Sequence, residues 1–462
     1  MTLRAAARSA LIVWVALTLL IAIQTLWQGA ENPFIKTGPH SILSVTMTSV
    51  IFAWMLAGGL LGLIHFGRVN EKNIFALAGF FLIALLYLNI LRERTEYGDI
   101  EYYIDAALRL YRGKPLPPEY LYPPFWAWFL KFFAASGEKG LLLVVWTLNV
   151  LAVFLFYFLL QRILQTYGFA SRLAALTATA FMLVNMPLLR TLFYGQVNLH
   201  VANLIFVSLL AYPRARPLSA LALGLAVHLK IAPVVLALAF LLNRDWRWLI
   251  WFALSLAAVG ALPYWTDGLS PYLDFLNNSL LFTAERMTNF RETSIDTLFT
   301  VLGSLTNVDF AVTRYGVYAV KVILLGAGLL VMRANVKSGT YYEANEKGAL
   351  IHNAAPALLL LMTLLSPLVW EHYGVFLTLS FLLLVKRLDS PTEWLTFGFI
   401  YFIGFLLPAF DYFPWSFARL AAALILLWMM WKAASKPRPS SAFETANRRL
   451  EGLRFKQNGA DS

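Results

Sequence analysis

The chain has 462 residues, of which 60% are hydrophobic and only 13% are charged, and its formal net charge is +12. This composition excludes a soluble globular protein. The absence of cysteine excludes disulfides, thiol catalysis and cysteine metal sites. Repeated apolar runs of roughly 17–25 residues predict a polytopic helical membrane protein.

The basic residues are distributed as in membrane proteins. They concentrate in short loops and in the tail after Trp431, and no nucleic-acid motif accompanies them. We therefore expect contact with anionic lipid and no nucleic-acid partner. The basic tail, residues 432–462, is predicted to be cytoplasmic and disordered at least in part.

Residues 1–91 are predicted to form N-terminal transmembrane spans. The apolar run Ser9–Trp27 exceeds the roughly 7–15 residues of a signal-peptide core, so we interpret it as a retained span with a cytoplasmic N-terminus. Ile42–Phe66 returns to a basic loop, and Ile74–Leu91 crosses outward. Residues 92–139 are therefore predicted to be the first large extracytoplasmic loop, despite their basic residues.

Residues 140–431 are predicted to form the transmembrane core, with a second large outer loop at 265–310. The whole chain has about twelve predicted spans, with both termini cytoplasmic, in the plasma membrane. The run Leu218–Leu242 is unusual because both ends are basic and its centre contains Lys230 and Pro233. This pattern predicts a re-entrant pair of half-helices lining a cavity, with a single straight span as the alternative.

The first outer loop contains the first candidate for chemistry, Asp99, at the start of an amphipathic helix. At helical spacing Asp99, Tyr103, Ala106 and Leu110 share one face. A single carboxylate facing a cavity suits a general base. Spacing alone favours the alternative, a solvated N-cap aspartate. Glu101 points in a different direction, so the two carboxylates are not expected to chelate one metal jointly.

Lys230 is the second candidate, because a lysine in the middle of an apolar run is costly and indicates a functional site. Together with His228 and the helix break it suits a buried anion such as a phosphate. The alternative, a lysine that extends to the interface, has poor reach from this position. His372 and Glu371 follow Trp370 at a helix start, where an active-site role and an interfacial aromatic belt fit equally well.

Three further groups each allow two interpretations. Gln196 and Asn198 suit hydrogen bonds to sugar hydroxyls, although sequence alone favours helix capping. Tyr122 suits a sugar platform or, more commonly, an interface anchor. Arg286 and Arg291 suit a phosphate clamp or solvated loop charges. No P-loop, G-x-S-x-G, H-E-x-x-H or G-x-G-x-x-G motif occurs, so nucleotide-driven, serine-hydrolase and zincin functions lack support.

Taken together, these motifs resemble the GT-C class of polyprenyl-phosphate-sugar-dependent glycosyltransferases, specifically glycosyltransferase family 87, which includes mannosyltransferases acting on phosphatidylinositol mannosides. The resemblance covers most of the chain from about Asp99 to Tyr373. It is carried by Asp99 with Tyr103, Gly113 and Tyr122-Pro123-Pro124, by Gly195-Gln196-Val197-Asn198, by Gly224 with Lys230 and Pro233, and by Ser366-Pro367-Leu368-Val369-Trp370-Glu371-His372.

The resemblance implies an all-α integral membrane bundle of GT-C type, with extracytoplasmic loops forming the active site. It also implies inverting transfer of one sugar, mannose by analogy, from a polyprenyl-phosphate donor to a lipid or glycan acceptor, in cell envelope biogenesis. Asp99 matches the family's catalytic aspartate. No cofactor is required; a divalent metal held by Asp99 and Glu101 is the alternative. The chain departs from the family in two extra spans before Asp99 and in Glu292-Thr293-Ser294, a partial match.

The expected site residues fall into two groups besides Asp99. The cations expected to meet the leaving phosphate are Lys230, His228, His372, Arg286 and Arg291. The side chains expected to bind sugar or acceptor are Tyr103, Glu101, Tyr122, Gln196, Asn198, Trp370 and Glu371. Two rival functions are a lipid-linked glycan ligase or polymerase, and a transporter or flippase of lipid-linked sugar.

Overall fold

The computed structural model describes most of the chain and leaves several segments outside its scope. The described residues are 3–28, 45–70, 73, 76, 99–183, 185–212, 214–285, 294–342, 348–406, 414–436, 443–445 and 447–448. All but one residue of the predicted span Ile74–Leu91 lies outside these ranges, as do residues 449–462 of the predicted tail.

The described part of the chain is helical and contains no strand, which confirms the predicted all-α class. Four of its helices are long and apolar enough to cross a membrane, so the chain is a helical membrane protein. These four stretches are Arg4–Ile23, Ala134–Thr166, Trp246–Asp267 and Ala311–Ser338.

The first two helices, α1 (Leu3–Gln28) and α2 (Val45–His65), pack against each other through tryptophans. The rings of Trp14 and Trp54 stack with centroids 5.7 Å apart. The indole nitrogen of Trp54 donates to the hydroxyl of Thr18 at 2.8 Å. Both indoles thus satisfy their polar atom inside an apolar pair.

The described part of the predicted first outer loop contains α3 (Ile100–Tyr111) and α4 (Pro124–Lys131). Helix α3 is amphipathic as predicted, with Tyr103, Ala106 and Leu110 on its buried face. Ala106 and the neighbouring Ala107 are fully buried, and their small side chains let the helix lie close to the bundle. Packing of this apolar face against the bundle therefore fixes the position of Asp99 at the start of α3.

The bundle continues through helices that lead to the break predicted around Lys230. They are α5 (Gly137–Thr166), α6 (Ser171–Leu183), α7 (Met186–Phe193), α8 (Asn198–Ala211) and α9 (Arg216–Leu229). Helix α9 ends at Lys230, whose backbone is extended, and a 3-10 turn over Ala232–Leu236 leads into α10 (Ala237–Leu242). Pro233 has no backbone N–H, which is why the α-helix does not continue through it.

The segment 265–310, predicted as the second outer loop between spans, is helical in most of its described residues. Helix α11 (Trp246–Asp267) extends into it, and α12 (Ser270–Glu285) and α13 (Ile295–Thr306) follow. Polar side chains of these helices contact residues of the predicted first outer loop. The Asp274 carboxylate, for example, accepts from the backbone nitrogen of Leu116 at 3.0 Å.

The centre of the bundle is α15 (Ala349–Leu364), which packs beside α14 (Phe310–Ser338). Every residue of α15 from Ile351 onward is buried, as expected for a helix that is apolar on all sides. A 3-10 turn over Glu371–Leu377 follows. The remaining helices are α16 (Thr378–Leu384), α17 (Pro391–Tyr401) and α18 (Ala418–Ala434).

Two short stretches of the tail contact the bundle. The side-chain oxygen of Asn447 accepts from the backbone nitrogen of Ala170 at 2.6 Å. The ring of Phe443 packs edge-on against Phe169, with centroids 4.9 Å apart. These contacts attach the described tail residues to the turn between α5 and α6.

Candidate active site

Asp99 lies at the start of α3 with its carboxylate directed toward another part of the bundle. It occupies the N-cap position but makes no side-chain capping bond. Its Oδ2 instead accepts a hydrogen bond from the side-chain nitrogen of Gln196. The side chain is half-buried, so the alternative of a solvated capping aspartate does not describe it.

Gln196 joins Asp99 to two tyrosines. The side-chain oxygen of this fully buried glutamine accepts from the hydroxyls of Tyr103 at 3.0 Å and Tyr122 at 2.9 Å. The amide nitrogen therefore faces a carboxylate while the amide oxygen faces two donors, an arrangement that specifies the orientation of the amide. A buried network of this kind holds the Asp99 carboxylate in one direction.

Gly195 permits the close approach of α3 to the turn that bears Gln196. Its φ is +64°, a backbone conformation that favours glycine. A Cβ at this position would lie 2.6 Å from the side chain of Ile100. Both requirements exclude a larger residue, so the glycine explains how the first turn of α3 reaches Gln196.

Lys230 is buried and held by an amide and an aromatic ring. Its Nζ donates to the side-chain oxygen of Asn198 at 2.8 Å and lies 3.7 Å from the centroid of the Tyr373 ring. The side-chain nitrogen of Asn198 donates in turn to the carbonyl oxygen of His372 at 3.3 Å. Hydrogen bonding and the cation–π contact offset the cost of burying the ammonium. Lys230 is only 8% exposed and does not extend to an interface.

The preference for helix capping by Gln196 and Asn198 is wrong. The N-cap of α8 is Val197, with no side-chain capping bond. Both amides instead contact charged side chains, Gln196 that of Asp99 and Asn198 that of Lys230. A buried charge costs far more than an uncapped helix end, which explains why the amides pair with the charges.

Asp99 and Lys230 belong to one electrostatic site. Removal of water from around the Asp99 carboxylate raises its pKa to about 6, and the positive charge of Lys230 opposes this rise. A carboxylate that titrates near the pH at which it works suits proton abstraction. Tyr122 contacts both halves of the site, because its hydroxyl donates to Gln196 and the Nζ of Lys230 lies 5.7 Å from the centroid of its ring. The arrangement therefore brings a base and a cation into one site.

His372 and Glu371 lie beside this site in different surroundings. His372 is 4% exposed, and its carbonyl oxygen also accepts from the hydroxyl of Thr191 at 3.5 Å. Glu371 forms ion pairs with Arg190 at 3.2 Å and Arg419 at 2.7 Å. Its carboxylate is therefore part of an arginine network, and its predicted role in binding sugar or acceptor would require that network to open.

Trp370 and Glu371 line a separate cleft. This cleft contains about 520 Å³ of empty space and includes Arg419 in its wall. Asp99 and Lys230 do not line it. Its remaining wall is mostly apolar and comes mainly from α15, α16, α18 and the 3-10 turn over Glu371–Leu377, with Ser294, Val369 and Gly404 completing it. The predicted site residues thus divide between this cleft and a cluster around Asp99 and Lys230. We call the latter the Asp99–Lys230 cluster; its members are Asp99, Tyr103, Tyr122, Gln196, Asn198 and Lys230.

The structure separates other predicted residues from the cluster. His228 shares a hydrogen bond of 2.9 Å with the carbonyl oxygen of Leu256 on α11. Glu101 is exposed on α3, on a different side from the buried Tyr103. Arg286 and Arg291 lie outside the described residues.

A metal site was considered for Asp99 and Glu101. Within the described ranges, no three side chains of the histidine, aspartate and glutamate types lie close enough to hold a metal ion together. Asp99 contacts an amide nitrogen, and Glu101 is exposed on the far side of α3. The donor set of these two carboxylates therefore does not converge on one point.

Sequence reasoning missed three residues near the cluster. Arg190 is 4% exposed within α7, and an arginine inside a helix with an apolar face was the signal that could have identified it. Arg419 lies in the first turn of α18 and resembles an ordinary charged residue that flanks an apolar helix. Tyr373 follows His372 at the end of the range that carries the family resemblance, and it was assigned no role. No sequence pattern indicates that its ring lies against Lys230.

Comparison with known proteins gives one match. A family model described as glycosyltransferase family 87 matches residues 120–367, which is more than half of the chain. No curated protein and no solved structure matches. The matched range contains Tyr122, Gln196, Asn198 and Lys230, whereas Asp99 precedes it.

Proposed function

The chain belongs to glycosyltransferase family 87, and from this premise we propose that it transfers a single sugar from a polyprenyl-phosphate donor with inversion at the anomeric carbon. The acceptor is a lipid or glycan outside the cytoplasm, and the sugar is mannose by family analogy. One observation supports the proposal most directly. The Asp99 carboxylate and the buried Lys230 cation lie in one electrostatic site, each held by its own amide.

In this proposal Asp99 is the general base. It removes the proton from an acceptor hydroxyl while the hydroxyl oxygen attacks the anomeric carbon. The bond between that carbon and the donor phosphate oxygen breaks, and polyprenyl phosphate leaves with the bonding electrons. Gln196 keeps the carboxylate directed at the acceptor through the network with Tyr103 and Tyr122.

Lys230 supplies the positive charge that the leaving phosphate needs. A fixed cation in a site with little water stabilises developing negative charge strongly, because it needs no reorganisation during the reaction. Asn198 and Tyr373 hold the ammonium in place, so it is pre-positioned. His372 lies on the neighbouring turn, but burial and the charges of Lys230 and two arginines lower its pKa, so it can offer the donor a hydrogen bond and not a positive charge. Tyr122, which is partly exposed, forms part of a wall for the sugar or acceptor, whereas Tyr103 is fully buried and acts through Gln196.

The proposed topology places this site outside the cytoplasm. It is a GT-C bundle of about twelve spans with both termini cytoplasmic in the plasma membrane, and residues 218–242 form a re-entrant hairpin. The helix break at Lys230 supports the hairpin. The domains are the spans of 1–91, the outer segment 92–139, the core 140–431 and the tail 432–462.

The donor class can be tested with purified full-length protein. We expect release of polyprenyl phosphate from a labelled polyprenyl-monophosphate sugar, measured by separating lipid products, with the greatest turnover for one sugar of a panel. A requirement for a diphosphate-linked oligosaccharide would instead indicate a ligase or polymerase. Movement of the lipid-linked sugar across a vesicle membrane without release of polyprenyl phosphate would indicate a transporter. Either result contradicts the proposal.

The pH dependence of the reaction should report Asp99. Because the base acts only when deprotonated and its pKa is raised to about 6, the rate should fall as the pH drops through about 6. Lys230 opposes the raised pKa, so Lys230→Gln should move this acidic limb to higher pH. Initial rates between about pH 5 and about pH 8 measure the acidic limb of the unmodified protein and that of the variant. An acidic limb at the same pH in the two proteins would show that Lys230 does not affect the pKa of Asp99.

A further inference from the structure

A second cleft lies between α17 and α18, at the far end of the bundle from Asp99. Arg419 lies in the first turn of α18 and pairs with Glu371 near the active site, whereas Lys432 lies in the last turn of the same helix. At 1.5 Å per residue these two positions are about 20 Å apart along the helix. The cleft is therefore distinct from the proposed catalytic centre.

The walls of this cleft combine positive charge with hydroxyl groups. It encloses about 420 Å³ of empty space, part of it open to the surroundings, and Arg387, Lys432 and Lys436 line it. Thr392 and Thr396 from α17 contribute hydroxyls to the same wall. Three cations at one opening make the cleft a candidate for an anionic ligand.

The carboxylates near the cleft do not balance these cations. Lys436 pairs with Asp389 at 3.2 Å and with Glu393 at 2.7 Å. Lys432 forms no ion pair within the described part of the chain and instead lies 4.7 Å from the centroid of the Trp428 ring. Two carboxylates beside three cations leave one positive charge, which favours binding of an anion.

Arg387 provides an independent indication. Arg387 is only 4% exposed, and the terminal nitrogens of its side chain donate to backbone carbonyl oxygens, among them that of Lys436 at 3.2 Å. Its Nε is also buried but has no acceptor among the described residues. A buried donor without a partner is costly and usually has a ligand or a water as its acceptor. Arg387 therefore adds an unused donor to the wall of the cleft.

The surface that leads to the cleft is apolar. Leu395 and Phe399 on α17 are 49% and 58% exposed, and Leu424 and Trp428 on α18 are 39% and 52% exposed. In a membrane protein such a face lies against acyl chains, and tryptophan is typical of the level of the headgroups. The cleft thus continues from a surface suited to lipid chains into a pocket suited to a negatively charged headgroup.

We propose that this cleft binds the headgroup of an anionic phospholipid, whose acyl chains lie along the exposed faces of α17 and α18. The phosphate is placed near Lys432, with the threonine hydroxyls of α17 as additional donors. The proposal is independent of sugar transfer, because no residue of the cleft belongs to the Asp99–Lys230 cluster.

The test uses the full chain in nanodiscs that contain equal amounts of phosphatidylglycerol and phosphatidylcholine. Native mass spectrometry should show preferential retention of phosphatidylglycerol. Lys432→Gln should lower that retention about fivefold, as expected from about 1 kcal/mol per basic residue at a lipid headgroup. Lys337→Gln is the matched control, since Lys337 is exposed at the end of α14 and outside the cleft.

Three outcomes would overturn the proposal. They are equal retention of the two lipids by the unmodified protein, equal loss in the two variants, and displacement of the lipid by inorganic phosphate at the same concentration as lipid. A second measurement is quenching of tryptophan fluorescence by brominated phosphatidylglycerol. Trp428→Phe should remove part of this quenching, and an unchanged quenched fraction would place the lipid elsewhere.

Discussion

Replacing Asp99 by asparagine is expected to lower the rate of sugar transfer by about 10²–10⁴-fold, the usual contribution of a positioned general base. The asparagine oxygen can still accept from Gln196, so the network with Tyr103 and Tyr122 should survive. Protein yield, thermal stability and donor binding should therefore change little. The readout is the initial rate of polyprenyl phosphate release at saturating donor.

Asp105→Asn is the matched control for this experiment. Asp105 lies on the same helix and undergoes the same chemical change, but it is exposed and pairs with Arg109 at 2.9 Å. An exposed pair of this kind contributes little to stability, so the control should transfer sugar at nearly the unmodified rate. If Asp99→Asn retained comparable turnover, Asp99 would not be the base.

Replacing Lys230 by methionine should lower turnover of the donor by about 10²–10³-fold, the effect of removing one group that stabilises charge in a transition state. Methionine preserves most of the volume and the apolar contact with Tyr373, but it removes the positive charge and leaves the oxygen of Asn198 without its donor. Rates at several donor concentrations distinguish weaker donor binding from slower chemistry.

Lys131→Met serves as the comparison for Lys230→Met. Lys131 is in the same outer part of the protein but pairs with Asp267 at 2.5 Å and lies outside the cluster. Loss of that partly exposed pair should have a minor effect. Lys230 would be a structural residue only, and not a phosphate ligand, if its replacement left both donor affinity and maximal rate unchanged.

The sequence was informative where one residue conflicts with its surroundings. Lys230 is a charge within an apolar run, and the break in the helix follows directly from the proline beside it. The amphipathic helix after Asp99 was also predictable, because its apolar positions recur at helical spacing. In each case a local pattern contains the physical reason for the structure.

Long-range partners could not be predicted in this way. Nothing near Gln196 or Asn198 in the sequence indicates that one contacts Asp99 and the other Lys230, since these pairs form only when separate helices pack. Arg419 likewise resembles any basic residue at the start of an apolar helix, yet it pairs with Glu371.

The order in which the cluster's members are synthesised has a consequence for the cell. Asp99 emerges early, but the turn that contains His372 and Tyr373 comes much later, and the aromatic contact that completes the surroundings of the lysine forms only once that turn has packed. At translation rates of about 5–20 residues per second, the interval lasts roughly a quarter of a minute to a minute. Throughout this interval the nascent chain has its base but not the assembled cation, so it should be inert toward lipid-linked sugar while membrane insertion is still under way.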